Sequence, residues 1–242
     1  MPLMLCDKAQ KSYGGVKALG GVSLVIEKGE TVGVIGSNGA GKTTLFQVLT
    51  AYERPDSGYA AVTLPSGEAV TAHVLGPYRL ARLGVGRTFQ NLRLFEGLTP
   101  RENLLAAIYS MNIKEIDPDR LLLELSLTSY ADMVVSSLPY GARKLTELAR
   151  AVTVAASGLG LLFLDEPCAG LNEGETAELS LRLSGLKRRY GLTIFFVEHH
   201  MSFVREQSDR LYAMDEGLVI ASGSPRAVLC DTRVKELILG EE

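Results

Sequence analysis

Cysteine is scarce in this chain of 242 residues. Cys6, Cys168 and Cys230 lie far apart, and an odd, scattered set argues against a disulfide framework or a zinc site and for free thiols in a reducing compartment. Long apolar runs are absent as well. The longest candidate, AVTVAASGLGLLFL, is broken by Ser and Gly and stops at Asp165, short of the roughly 18 to 20 residues that a membrane-spanning helix needs. Neither sign of charge dominates: 25 Lys and Arg stand against 28 Asp and Glu, a net charge of −3, so the chain as a whole has no strong pull on nucleic acid. The first residues, MPLMLCDK, carry no basic segment ahead of an apolar core, so no signal peptide is expected. No internal repeat and no low-complexity segment stands out. These absences describe a cytoplasmic protein.

What is present is ordinary globular material, with 46% hydrophobic and 22% charged residues, enough to bury a core in one large domain or a domain with an insert. The run VSLVIEKGETVGVIG reads as two short strands around Lys28-Gly29-Glu30, the first with Val22, Leu24 and Ile26 alternating on one face. The second strand ends at GSNGAGKTT, residues 36–44, and KTTLFQVLT then fits a helix. RPDSG is turn chemistry, and YAAVTL returns as a strand.

From about residue 97 the character changes. Thr99 is an N-cap candidate with Pro100 behind it, and Asp117 with Pro118 repeats the arrangement. A third helix over about 141–156 sets Leu145, Leu148, Ala149 and Val152 on one face, so 91–156 reads as nearly all helical. LLFLDE and TIFFVEHH then look like buried parallel strands with polar groups at their carboxyl ends. The helix between them closes at Gly191. His73 lies in what reads as an irregular region and receives no role. The expectation is an α/β nucleotide-binding core, 1–90 with 157–242, interrupted by a helical insert.

Gly36, Gly41, Lys42 and Thr43 complete G-x-x-x-x-G-K-[ST] between a strand and a helix. Glycines there let backbone N–H groups of Ser37, Asn38, Gly39, Ala40, Gly41 and Thr44 turn toward phosphate oxygens, and the helix N-terminus adds positive potential. Lys42 suits the outer phosphates, and Thr43 can offer its hydroxyl to Mg²⁺. Asp165, at a strand end, can hold Mg²⁺ through water, and Glu166 can take a proton from the attacking water. A bland alternative exists for each, such as a glycine-rich turn or a pair of solvated acids. Their joint occurrence argues against it. His199 can reach a γ-phosphate, although His200 beside it leaves the choice open on the residues alone. LPYGARK places Gly141 at a helix start, a weak signal by itself.

The order of these parts, a phosphate loop, then RTFQ, a helical stretch, LPYG ahead of LDEP, and VEHH, resembles the ABC-transporter ATPases over nearly the whole chain. GVGRTFQNLRLF, LPYG and DEPCAGLN are similar to the ATPase subunits of branched-chain amino acid importers, with urea and amide importers sharing these features. The resemblance implies an ABC ATPase fold, a phosphate-loop core with a small antiparallel β subdomain and a helical insert over 91–156 that carries the signature. It implies Tyr13 stacked on adenine, Gln90 at the metal and water, Asp165 on Mg²⁺, Glu166 and His199 in catalysis, and Ala169–Asn172 as a dimer-contacting loop. Pro139, Tyr140 and Gly141 would serve as a signature acting on the ATP of a second cassette, self or paralogue. The implied partners are permease subunits in the membrane and, indirectly, a solute-binding protein, with no nucleic acid. The chain would then be peripheral on the inner face of the cell membrane. Pro139 and Ala142 depart from the family's Leu-Ser-Gly-Gly-Gln, which removes the serine side chain from that contact. Cys168 reads as a small apolar filler. A soluble ABC-type ATPase acting on nucleic acid or ribosomes usually has a long coiled-coil insertion or two cassettes, and a GTPase has an N-K-x-D sequence; the chain has none of these.

Overall fold

The computed structural model describes residues 1–114 and 116–239. The elements begin with β1 (Met4–Tyr13), β2 (Val16–Ile26), β3 (Thr31–Gly36), α1 (Lys42–Leu49), β4 (Ser57–Thr63), β5 (Ala69–Thr71) and α2 (Ala72–Arg82). There follow β6 (Val85–Arg87), α3 (Pro100–Met111), α4 (Pro118–Glu124), α5 (Tyr140–Ala155), β7 (Leu161–Asp165) and α6 (Glu173–Tyr190). The last are β8 (Thr193–Val197), α7 (Met201–Gln207), β9 (Arg210–Asp215), β10 (Leu218–Gly223), α8 (Pro225–Cys230) and α9 (Thr232–Leu239). The chain divides into two compact units, Met1–Leu80 with Thr193–Glu242, and Ala81–Leu192. The helical stretch expected over 91–156 lies inside the second unit.

In the first unit β2, β1, β4 and β5 form an antiparallel sheet in that order. The alternation read along β2 is real: Val22, Leu24 and Ile26 are buried, and Ser23 is exposed. β3 lies between β8 and β9, parallel to both, and β10 returns antiparallel on β9. β8 is buried throughout and β3 nearly so, which is why both read as continuous apolar runs. α1 packs Phe46 near Phe195 of β8, ring centroids 6.1 Å apart. The Tyr212 hydroxyl of β9 accepts the Val25 N–H at 3.2 Å, tying the antiparallel sheet to the parallel one.

The second unit pairs β6 and β7 in parallel, Val85 opposite Leu161 and Arg87 opposite Phe163. Two of its helices, α3 and α4, start at the caps read from the sequence. Thr99 and Glu102 form a capping box on α3, Asp117 caps α4, and Asn172 with Glu175 forms a second box on α6. Gly191 closes α6 at φ 61.

Three expectations need correction. Residues 88–99 are irregular, so the helical stretch begins only at α3. The region around His73 is helical, with His73 in the first turn of α2 and a break at Gly76, φ 73. α5 begins at Tyr140, one residue before Gly141.

The irregular 88–99 segment has a buried anchor. Asn103, on α3, is fully buried; its Nδ2 donates to Phe95 O at 3.1 Å and Thr99 O at 3.0 Å, and its Oδ1 accepts the Phe95 N–H at 3.0 Å. Replacing it strands backbone groups that need partners. Asn103→Ala is therefore expected to cost about 1–3 kcal/mol. Thermal unfolding should show a drop of roughly 2–4 °C for each kcal/mol lost.

Candidate nucleotide site

The phosphate loop joins β3 to α1, and its shape is forced by close backbone approaches. A Cβ on Gly36 would lie 2.1 Å from Met214 O, and one on Gly41, at φ 94, would lie 2.3 Å from Ala18 O. Only glycine fits at either place. Gly39, at φ 85, faces open space, so its requirement is conformational alone. Ala40 is buried; its N–H donates to Ser37 O at 3.1 Å and its carbonyl accepts the Gly217 N–H at 3.1 Å. Ser37 Oγ donates to Asp215 Oδ1 at 3.1 Å. The loop is thus held from both sides by β2 and the β9–β10 turn.

Gly41 is the N-cap of α1 and has no side chain with which to cap it. The first amides of that helix consequently point outward with the helix dipole behind them, the environment an anion needs. Lys42 Nζ curls over the loop, donating to Gly36 O at 2.5 Å and Ser37 O at 2.8 Å. Thr43 is exposed at the helix start. Tyr13, at the end of β1, keeps 44% of its surface exposed, with Lys11 Nζ 5.4 Å from its ring centroid. Burial and then Glu53 push its phenol above the ordinary value, while Lys11 and Thr44 pull the other way. His199 follows β8 in the same unit with an exposed ring, and its N–H donates to Glu198 Oε2 at 2.8 Å.

The second unit carries the remaining sequence-derived residues. Asp165 ends β7, only 7% exposed, and its N–H donates to Thr88 Oγ1 at 3.0 Å. Burial pushes its carboxyl up; Arg87 counters this and Glu166 adds to it. A buried carboxylate whose anion is penalised by desolvation fits a divalent cation. Among the described residues no cluster of three or more His, Cys, Asp or Glu offers a metal cage. Glu166 is partly exposed and has a left-handed backbone, φ 46, uncommon for a residue with a side chain. Its carbonyl accepts the Ala169 N–H at 3.1 Å, folding 166–169 into a turn. Cys168 within that turn is buried, consistent with a filler. Gln90 is exposed in the irregular segment after β6.

Pro139 is the N-cap of α5 and supplies no side-chain cap. Tyr140 is half-exposed, and its ring lies against Gly170, where a Cβ would meet Tyr140 Cε1 at 3.0 Å. A cavity of about 270 Å³ within this unit brings Pro139, Gly141, Lys144, Glu147, Asp165 and Thr88 to one lining. Lys144, Glu147 and Thr88 received no role from the sequence. Glu147 is buried on the apolar face of α5, between positions that read as core. A carboxylate on such a face was the signal available.

The fold and the loop define a phosphate-loop nucleotide-binding cassette. Residues 19–169 match the family described as ABC transporter. The chain is 34% identical to the high-affinity branched-chain amino acid transport ATP-binding protein LivG of Salmonella typhimurium, over 99% of this chain and 98% of that one. It is 30% identical to the lipopolysaccharide export system ATP-binding protein LptB of Haemophilus influenzae, covering 100% of this chain and 99% of that one. Among solved structures it is similar to the ADP conformation of MJ1267, an ATP-binding cassette of an ABC transporter, with a TM-score of 0.83, 30% identity and 99% of both chains covered. The chain belongs to the ABC transporter family, has the ABC ATPase fold, and is an ATP hydrolase whose hydrolysis is coupled to transport. Among the described residues no helix is long and apolar enough to cross a membrane.

The raised Asp165 pKa gives a signed test. A carboxyl whose folded pKa lies above its unfolded value favours folding most below the unfolded value, and that contribution is lost as pH rises through the folded pKa. Asp165→Asn removes the loss. Without nucleotide, the variant should match the wild type in strongly acidic buffer and grow more stable relative to it as pH rises toward neutrality. Melting temperatures across that range check the sign; a deficit that widened with pH would contradict it.

Proposed function

We propose that the chain is the ATP-driven motor subunit of a membrane importer for branched-chain or other amino acids. The near full-length similarity to LivG carries this reading. The similarity to LptB favours a second reading, a motor for export. Uptake of labelled leucine into cells, with and without a functional copy of the chain, separates the two.

In the proposed role Tyr13 stacks on adenine, and the amides from Ser37 to Thr44 receive the phosphates. Lys42 leaves its present carbonyl partners for the β- and γ-phosphates. Thr43, Gln90 and Asp165 would hold Mg²⁺, which spreads and neutralises phosphate charge. Glu166 accepts the proton of the attacking water, and His199 bonds the γ-phosphate. The backbone at Pro139, Tyr140 and Gly141 serves the ATP of a second cassette. The chain works at the cytoplasmic face of a membrane, on permease subunits supplied with solute by a binding protein. Supporting this, the loop amides, Lys42 and the uncapped starts of α1 and α5 are all suited to anions, while Asp165 is suited to a cation.

Lys42→Ala is expected to weaken ATP binding, because the loop then lacks its only lysine. Glu166→Gln should bind ATP normally and lose turnover by a factor on the order of a hundred or more, since an amide accepts no proton. Nucleotide titration and phosphate release on both variants check the pair. Wild-type turnover by Glu166→Gln would remove Glu166 from the mechanism.

Assembly gives another test. The phosphate loop and the α5 start belong to different units, and in this proposal the γ-phosphate is enclosed only when a second cassette adds its signature. Glu166→Gln chains should be monomers without nucleotide and should pair in Mg-ATP. Gel filtration with light scattering measures both states. A stable dimer without nucleotide would contradict ATP as the glue.

A further inference from the structure

α5 carries oppositely charged side chains one turn apart, and each grips the backbone of a different irregular loop. Lys144 Nζ donates to Glu166 O at 2.9 Å and to Ala169 O at 2.7 Å, the carbonyls at the two ends of the turn after β7. Glu147 accepts the Phe89 N–H at 3.4 Å and the Arg93 N–H at 2.8 Å, on either side of Gln90. Arg150, a further turn along, donates to Arg93 O. Residues 144, 147 and 150 follow the three-residue spacing that lines one side of a helix.

These contacts are more than surface decoration. Glu147 is 2% exposed. A carboxylate at that depth needs its partners. Burial pushes its carboxyl up, while the Arg93 and Phe89 amides and the charges of Arg150 and Lys144 oppose the rise. Lys144 meets a turn that opens on a left-handed non-glycine residue, Glu166. Such a backbone persists only where its surroundings hold it. One ammonium between two carbonyls, with charge-assisted bonds to both, is such a hold.

We propose that Lys144 and Glu147 are positioning residues through which the signature helix holds Glu166 and Gln90 of its own chain in working geometry. The inference rests on the reading of Glu166 and Gln90 as residues of hydrolysis. Its consequence is mechanical. The start of α5 addresses the ATP of the second cassette, and the two loops serve the chain's own ATP. Displacement of α5 by one nucleotide then displaces the groups acting on the other, with no intermediary beyond these side chains.

The test uses the purified full-length chain and its variants Lys144→Met, Lys144→Arg, Glu147→Gln and Glu166→Gln. The measurements are kcat, KM, affinity for a fluorescent ATP analogue, and the thermal midpoint. Lys144→Met should lower kcat by a factor on the order of ten to a hundred, the scale on which small misplacements act. Its KM and analogue affinity should stay within about twofold, because the phosphate loop is untouched. Lys144→Arg, which keeps a cation with several donors, should recover most of the loss. Glu147→Gln retains one acceptor oxygen for two N–H groups and should fall between. Wild-type kcat in Lys144→Met, with Glu166→Gln inactive, would overturn the positioning role and leave the functional reading intact. So would a kcat loss that Arg fails to restore and that only tracks a fallen thermal midpoint, because Lys144 would then be structural. Full turnover by Glu166→Gln would instead overturn the reading on which the inference rests.

Discussion

The absence of a β-carbon at Gly36 and Gly41 is the constraint on which the first unit depends. With atoms added there, oxygens of Met214 and Ala18 would lie 2.1 and 2.3 Å away, inside any contact real atoms make. Backbone therefore packs on backbone. Gly217 closes the same arrangement, since its own Cβ would stand 2.8 Å from Ala18 O while its carbonyl accepts the Gly20 N–H at 2.7 Å. A loop fixed this way has its amides aimed before any anion arrives. It pays no ordering cost on binding, which is the physical content of preorganisation.

The second unit uses the same device where Gly84 and Gly158 meet, a Cβ on either standing 2.5 or 2.4 Å from backbone atoms. Its segments after β6 and β7 are held in addition by side chains: Asn103 and Glu147 on 88–99, and Lys144 on 166–169. A side-chain hydrogen bond contributes about 0.5–1.5 kcal/mol net, or about 1.5–3 where one group is charged, whereas a forced Cβ contact has no small adjustment available. Loops fixed by glycine and backbone are rigid. Loops fixed by a few side chains have alternative positions within thermal or ligand-driven reach. The division matches the demands of the chemistry, in which phosphate must be met by something fixed and hydrolysis must be able to report.

The sequence disclosed the parts whose cause is local. The phosphate loop was legible because glycine positions and a following lysine mark it directly. The starts of α3 and α4 were legible because Thr99 and Asp117 cap their own helices, and Gly191 likewise marks the end of α6. β3, β7 and β8 showed as short apolar runs because they are buried on both faces. β1 did not show, since its pattern is broken by register shifts between Cys6 and Ala9 and again near Lys11. The α2 helix did not show around His73, and in the structure it is interrupted at Gly76, next to Pro77. Residues 91–99 read as part of a helical stretch because what prevents a helix there is distant: Asn103, Glu147 and Arg150 satisfy backbone groups of this segment from other elements.

That last difference shows why polar residues are buried in this unit at all. Leucine in place of Glu147 would suit the apolar face of α5 and would avoid a desolvated carboxylate. It would also leave the Phe89 and Arg93 amides without their acceptor, and an amide buried without a partner costs about as much as the hydrogen bond it lost, roughly 1–3 kcal/mol. An irregular loop under a helix therefore demands polar groups from that helix, in number set by the amides and carbonyls it cannot pair itself. Asn103 answers for Phe95 and Thr99, Glu147 for Phe89 and Arg93, Lys144 for Glu166 and Ala169. In each case the polar residue follows from the loop's lack of regular structure. The lack of regular structure in turn lets Glu166 adopt a left-handed backbone, φ 46, that no helix or strand would permit, and leaves Gln90 exposed.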